Sequence, residues 1–166
     1  SIGNHERKLK TLADYWPHVE ASRVTVLDDR FVEFGGIVLG GLSSIRVGKD
    51  EHHLQLQLVE KKPFMRAMSE QPGFKLLMCH HPEYFADAVL NRDIDLTVAG
   101  HAHGGQFRIP FLGGLIAPDQ GLFPEYAGGF YEENGTVMIV SRGLAKESNF
   151  VPRIFNRPEL VIIDIE

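Results

Sequence analysis

The chain has little cysteine, no long apolar run and no surplus of positive charge, and each shortage removes a class of protein. Cys79 is the sole cysteine among 166 residues, so a fold stapled by internal disulfides is excluded. No stretch reaches the roughly 20 apolar residues that a helix needs to span a bilayer, so the chain shows no transmembrane segment. The opening Ser-Ile-Gly-Asn-His-Glu-Arg-Lys lacks the charged-then-apolar plan of a secretory signal, so any export signal or membrane anchor is expected upstream of Ser1. Acidic residues number 22 against 17 Lys and Arg, a formal net charge of −5, which gives no strong nucleic-acid signal. What remains is 43% hydrophobic and 23% charged, the composition of an ordinary globular domain, and its length favours one domain.

The patterning supplies the elements. Leu9, Leu12, Ala13 and Trp16 recur at helical spacing and predict a helix that Pro17 stops. Val24–Leu27 and Phe31–Phe34 flank a polar break and predict a β-hairpin, with another strand over Ile37–Leu42. Lys49–Gln71 mixes alternating leucines with good helix formers and is read as helix. Phe74–Cys79 predicts a strand, Phe85, Ala86, Val89 and Leu90 a helix face opened by Pro82, and Asp95–Ala99 the next strand. Strand, helix, strand implies a parallel crossover, and such sheets bind ligands at the carboxyl ends of their strands. Thr136–Ser141 and Leu160–Ile165 predict closing strands, and the glycine-, proline- and aromatic-rich Gly113–Gly129 a functional loop or rim. Phe123, Tyr126, Phe130 and Tyr131 either pack the core or form an apolar substrate rim, with core packing favoured.

Histidines fall at the predicted carboxyl ends. In Gly100-His101-Ala102-His103-Gly104-Gly105 the two imidazoles stand two residues apart, which on an extended segment turns them the same way. The flanking glycines free the backbone to turn, and neutral imidazole suits transition-metal ions. A polar turn with exposed histidines is the plainer alternative. His80 and His81 end the preceding strand; their side chains are expected to diverge, with His80 inward and His81 capping or on the surface. Asn4-His5 has two readings: Asn4 caps the following helix, or Asn4 is an oxygen ligand and His5 an acid/base group. His18, His52 and His53 carry no partner signal, and Cys79 reads as a small buried hydrophobe.

Taken in order, Gly3-Asn4-His5-Glu6, Cys79-His80-His81-Pro82-Glu83 and Gly100-His101-Ala102-His103-Gly104-Gly105-Gln106 resemble the calcineurin-like metallophosphoesterase superfamily, in its bacterial branch of small predicted phosphohydrolases. The closing Val140-Ser141-Arg142-Gly143-Leu144 and Arg157-Pro158-Glu159-Leu160 fit the same pattern. The resemblance implies an α/β fold, the C-terminal part of a sandwich of mixed β-sheets flanked by helices with its N-terminal strands absent, so that 1–166 is one incomplete domain. It implies a metal-dependent phosphodiesterase or phosphomonoesterase in which a metal-bridging hydroxide attacks phosphorus in line. Asn4, His80 and His101 would ligate one metal of a pair, His103 the other, and His5 would protonate the leaving oxygen. The pair would be manganese, iron or zinc.

The superfamily's first two blocks, Asp-x-His and Gly-Asp-x-x-Asp, would lie upstream of Asn4, and Asp14, Asp28 and Asp29 come too late in the chain to replace them. The resemblance therefore implies that this chain belongs to a longer parent, holds at most one metal ion by itself and is inactive alone. A non-catalytic fragment binding a single ion is the alternative. Its expected partners are the phosphoester substrate and, against an open sheet, its missing N-terminal half or a second copy. Localisation would be cytoplasmic, or membrane-associated through an upstream segment.

Overall fold

The computed structural model describes residues 1–8, 12–45, 61–144, 147–148 and 151–165. Its centre is a six-stranded sheet. A hairpin forms one edge: β1 (Arg30–Phe34) runs antiparallel to β2 (Ile37–Leu42), with Phe34 opposite Ile37. The turn between them is Gly35-Gly36, both at positive φ (59° and 85°), the backbone of a tight two-residue hairpin. The sequence reading paired the wrong strand here. Val24–Leu27 is not a strand, and Phe31–Phe34 pairs forward, because Gly-Gly makes the tighter turn than Asp28-Asp29.

Three further strands join β2. β3 (Lys75–Cys79), β4 (Leu96–Ala99) and β10 (Thr136–Val140) are parallel to it, and β9 (Gly129–Glu133) closes the far edge antiparallel to β10. The order is β1-β2-β3-β4-β10-β9, so the protein is α/β with a mixed sheet and few helices. The crossover between β3 and β4 is shorter than predicted: Phe85–Val89 forms one π-helical turn, with Phe85, Ala88 and Val89 buried and Ala86 exposed.

Between β4 and β9 run four two-residue strands: β5 (Arg108–Ile109) with β6 (Gly113–Gly114), and β7 (Ile116–Ala117) with β8 (Gly121–Leu122). A last pair, β11 (Glu147–Ser148) and β12 (Val151–Pro152), follows β10. The predicted strand at Leu160–Ile165 is absent; it has no pairing partner among the described residues, and Leu160, Ile162 and Ile165 face solvent.

Helices are brief. α1 is Asn4–Lys8, and α2 (Leu12–Ala21) continues through Pro17, which forgoes only the amide bond to residue 13 instead of ending the helix as predicted. Residues 61–69 are helical (α3), in keeping with the helix reading of that stretch, while 46–60, including His52 and His53, lie outside the described residues; so does Leu9. Leu42, Leu77, Met138 and Val140 from the sheet pack with Met65 and Met68 of α3 and with Phe85 and Val89. Each such buried side chain contributes about 1.5–3 kcal/mol. Lys75 anchors the amino edge through Asp93 (3.0 Å) and the Gly73 carbonyl (3.0 Å). The opposite, carboxyl edge is where the histidines lie.

Candidate metal centre

Parallel β2, β3, β4 and β10 all end on one edge, so the residues after each strand are neighbours. The Gly100 amide donates to the His80 carbonyl (3.2 Å) and the Ser141 amide to the Ala99 carbonyl (2.9 Å), tying three of these ends together. The N-terminal segment is tied to the fourth: the Ile2 amide donates to Ser43 Oγ (3.1 Å) and the Ser44 amide to the Ile2 carbonyl (2.8 Å). α1 therefore starts over the edge, where the Gly3 amide is held by Glu6 Oε2 at 3.0 Å. The Asn4 side chain is buried, with its Oδ1 3.1 Å from His80 Nε2.

The turn after β4 is wound rather than extended, contrary to the sequence reading. His101 (φ 61°), His103 (φ 50°), Gly104, Gly105 and Gln106 all adopt positive φ, and His103–Gly105 forms a 3-10 turn. Gly104 and Gly105 are there for space as well: a Cβ on the first would strike Asn156, and on the second the Gly114 backbone. Asn156, itself buried, donates to the carbonyls of His103 (2.7 Å) and Gln106 (3.2 Å), and Arg108 to that of Gly104 (3.1 Å). The winding leaves His101 buried against Asp119 and His103 half-buried beside Arg153.

The histidines gather. Ring centroids of His80 and His101 are 5.0 Å apart, of His81 and His101 4.0 Å, and of His80 and His81 5.2 Å. His81 does not diverge to the surface as expected: it is 2% exposed and stacked on Tyr84 at 4.7 Å. Two carboxylates join them, Glu83 at 2.6 Å from His81 Nδ1 and Asp119 at 2.9 Å from His101 Nε2. One ligand atom from each of His80, His81 and His101 lies within 4.8 Å of the others, and the same holds for His81, Glu83, His101 and Asp119. His5 is exposed at the start of α1, close enough for its charge to act on His80 and His103.

Burial sets the protonation. Desolvation, then the charges of His101 and His81, lowers the His80 pKa to about 4. Desolvation and the charge of His81 also lower His101, with Asp119 opposing; desolvation, His101 and Arg153 lower His103. All three are therefore neutral near pH 7, the form in which imidazole ligates metals. Cys79, 3% exposed with its thiol pushed up to about 12 by burial, is the inert hydrophobe the sequence suggests.

These shifts carry a pH dependence. A histidine with its folded pKa below the unfolded 6.5 binds fewer protons folded than unfolded between those values, so stability rises with pH across that window. In chelator, the thermal midpoint is expected to fall as pH drops from 6.5 toward 4. A midpoint that climbs on acidification over that range contradicts the burial of these rings.

Sequence reasoning quoted Glu83 within the Cys79–Glu83 motif without giving it a role, and missed Asp119, Asn156 and Arg153; of these three only Asp119 had a pointer, inside the loop marked as functional. The closing motifs do meet, since Arg142 pairs with Glu159 at 2.8 Å, and that contact holds the Glu159 carboxyl below its usual range. The aromatics divide: Tyr126 and Tyr131 pack on the core, while Phe123 and Phe130 are exposed.

A cluster of three histidines with two carboxylates at the carboxyl edge of an α/β sheet could hold a metal ion. Among curated proteins, an uncharacterized metallophosphoesterase of Bacillus subtilis (strain 168), YkuE, is 31% identical over 93 residues, 56% of this chain. That match spans 31% of the relative's own length. The likeness supports the metallophosphoesterase superfamily. No family model matches the chain, and no solved structure does.

Proposed function

We propose that the carboxyl edge of the sheet is part of the active site of a metal-dependent phosphoester hydrolase, a phosphodiesterase or phosphomonoesterase. The observation that carries this reading is the meeting of Asn4 and His5, His80, and His101 and His103 from three separate segments on one edge. Asn4, His80 and His101 would hold one cation, and His103 would serve a second whose remaining ligands come from upstream of Asn4. The donor set fits: Asn4 Oδ1 and His80 Nε2 are 3.1 Å apart, and burial keeps the imidazoles neutral. Its mixed oxygen and nitrogen character suits manganese, iron or zinc. When bound, such cations polarise a phosphoryl oxygen and bring the pKa of water toward neutrality.

The chain's own residues supply the rest. His5, exposed beside His80 and His103, is the proton donor to the leaving oxygen. Arg153, whose charge acts on His103, is a cation for orienting the phosphate. Chain 1–166 alone is expected not to turn over bis(p-nitrophenyl) phosphate with manganese. A version extended upstream is expected to do so, and His5→Ala in it to lower kcat by about 10²–10⁴-fold. Turnover that survives both His5→Ala and chelator would overturn the reading.

A second reading has one observation in its favour. The ligand atoms of His81, Glu83, His101 and Asp119 lie within 4.8 Å of each other and belong entirely to this chain. They support a fragment that holds a single ion without catalysis.

A further inference from the structure

We propose that His81 is a third histidine ligand of the cation site, and that Glu83 and Asp119 are the carboxylates that set the rings of His81 and His101. The inference rests on the reading of this edge as a cation site, but not on hydrolysis.

His81 is the most enclosed histidine of the cluster, at 2% exposure, with Tyr84 stacked on it and His101 at 4.0 Å. A buried imidazole needs both nitrogens satisfied, and an unmet one costs about 1–3 kcal/mol. Nδ1 has Glu83 at 2.6 Å. Nε2 is fully buried and has no hydrogen-bond partner among the described residues. A residue serving only to pack against Tyr84 would gain nothing from that second nitrogen. Phenylalanine would fill the same space without the penalty.

The neighbouring ring repeats the arrangement. His101 gives Nε2 to Asp119 at 2.9 Å, which leaves Nδ1. A carboxylate on one ring nitrogen and a cation on the other is how metal-bound histidines are oriented and made more basic. Two adjacent rings, each held by its own carboxylate, indicate one site serving both. One ligand atom from each of His80, His81 and His101 falls within 4.8 Å of the others, so that modest side-chain adjustment would bring all three onto one ion. With three nitrogens, the site favours a divalent transition ion such as zinc over magnesium or calcium.

The test is zinc binding to chain 1–166, read by calorimetry and by ¹⁵N spectra of the histidine rings. In the unmodified chain, zinc is expected to shift one ring nitrogen of His81 together with those of His80 and His101. His81→Phe keeps the stack on Tyr84 and is expected to weaken zinc binding more than 10-fold. Glu83→Gln and Asp119→Asn are each expected to weaken it about 10–100-fold. If His81→Phe does not fold, the spectrum of the unmodified chain decides alone. Zinc that shifts His80 and His101 while leaving both His81 nitrogens unmoved overturns this assignment and leaves the cation site standing. A chain that binds no zinc overturns both.

Discussion

Replacing His101 by alanine is expected to weaken zinc or manganese binding by more than about 100-fold, since outer carboxylates alone are worth about 10–100-fold at such sites. His101 is the residue on which the site converges. Its ring meets His80 at 5.0 Å and His81 at 4.0 Å, and its Nε2 is held by Asp119. It also carries a strained backbone, with φ at 61°. Left-handed backbone on an ordinary residue costs about 1–3 kcal/mol and persists where surrounding structure enforces it, commonly at functional sites. His101→Asn separates the two effects, because asparagine tolerates that conformation but cannot replace the imidazole. It is expected to lose cation affinity as alanine does while unfolding closer to the unmodified chain. Calorimetry and thermal unfolding in chelator check both expectations; affinity kept within about threefold in either variant would remove His101 from the ligand set.

The second large effect concerns the turn that carries this histidine. Gly105→Ala is expected to lower stability by about 1–3 kcal/mol from its backbone alone, with φ at 75°. The added Cβ also meets the Gly114 backbone, which cannot swing aside as a side chain would. Because the Gly105 carbonyl accepts from the Leu115 amide, displacement of this residue also disturbs the loop that brings Asp119 to His101. The thermal midpoint is expected to fall by roughly 5–10 °C, at about 2–4 °C per kcal/mol for a chain of this size with steric cost added. Gly100→Ala is the contrast. Gly100 has neither positive φ nor a neighbour within 4 Å of a built Cβ, and its substitution is expected to stay within about 0.5 kcal/mol. Equal losses in the two variants would contradict the close packing of Gly105 on Gly114.

These two glycines show what was legible in the sequence. Glycines around His101 and His103 signalled a sharp turn, and a sharp turn is there. The sequence did not show that it winds through consecutive left-handed residues, nor that the second pair of glycines is needed for contact with Asn156 and Gly114. Local spacing reports local geometry, and those partners are distant in the chain. The strands that build the carboxyl edge were readable because buried parallel strands are near-continuous apolar runs, as at Leu76–Cys79 and, interrupted only by Thr97, at Leu96–Ala99. Leu160–Ile165 carries the same apolar content without a described partner strand, and pairing, not composition, makes a strand.

Of the candidate ligands named from the sequence, the structure brings Asn4, His80, His101 and His103 to one edge of the sheet, with Asn4 beside His80. Pattern misplaced His81 because sequence adjacency suggested opposite directions, whereas the chain turns at Pro82 and stacks His81 on Tyr84. Glu83 and Asp119 were given no role for a different reason: a carboxylate that steadies a histidine needs only proximity in space, and a motif or loop that contains it does not specify that task.

The central claim is that this chain builds a cation site at the carboxyl edge of its sheet, and a calorimetric titration of unmodified 1–166 with zinc at pH 7 tests it most directly. Saturable binding of a single ion, abolished by His101→Ala and accompanied by a rise in thermal midpoint, is the expected result. A flat titration, with the midpoint unmoved by excess zinc, would contradict it.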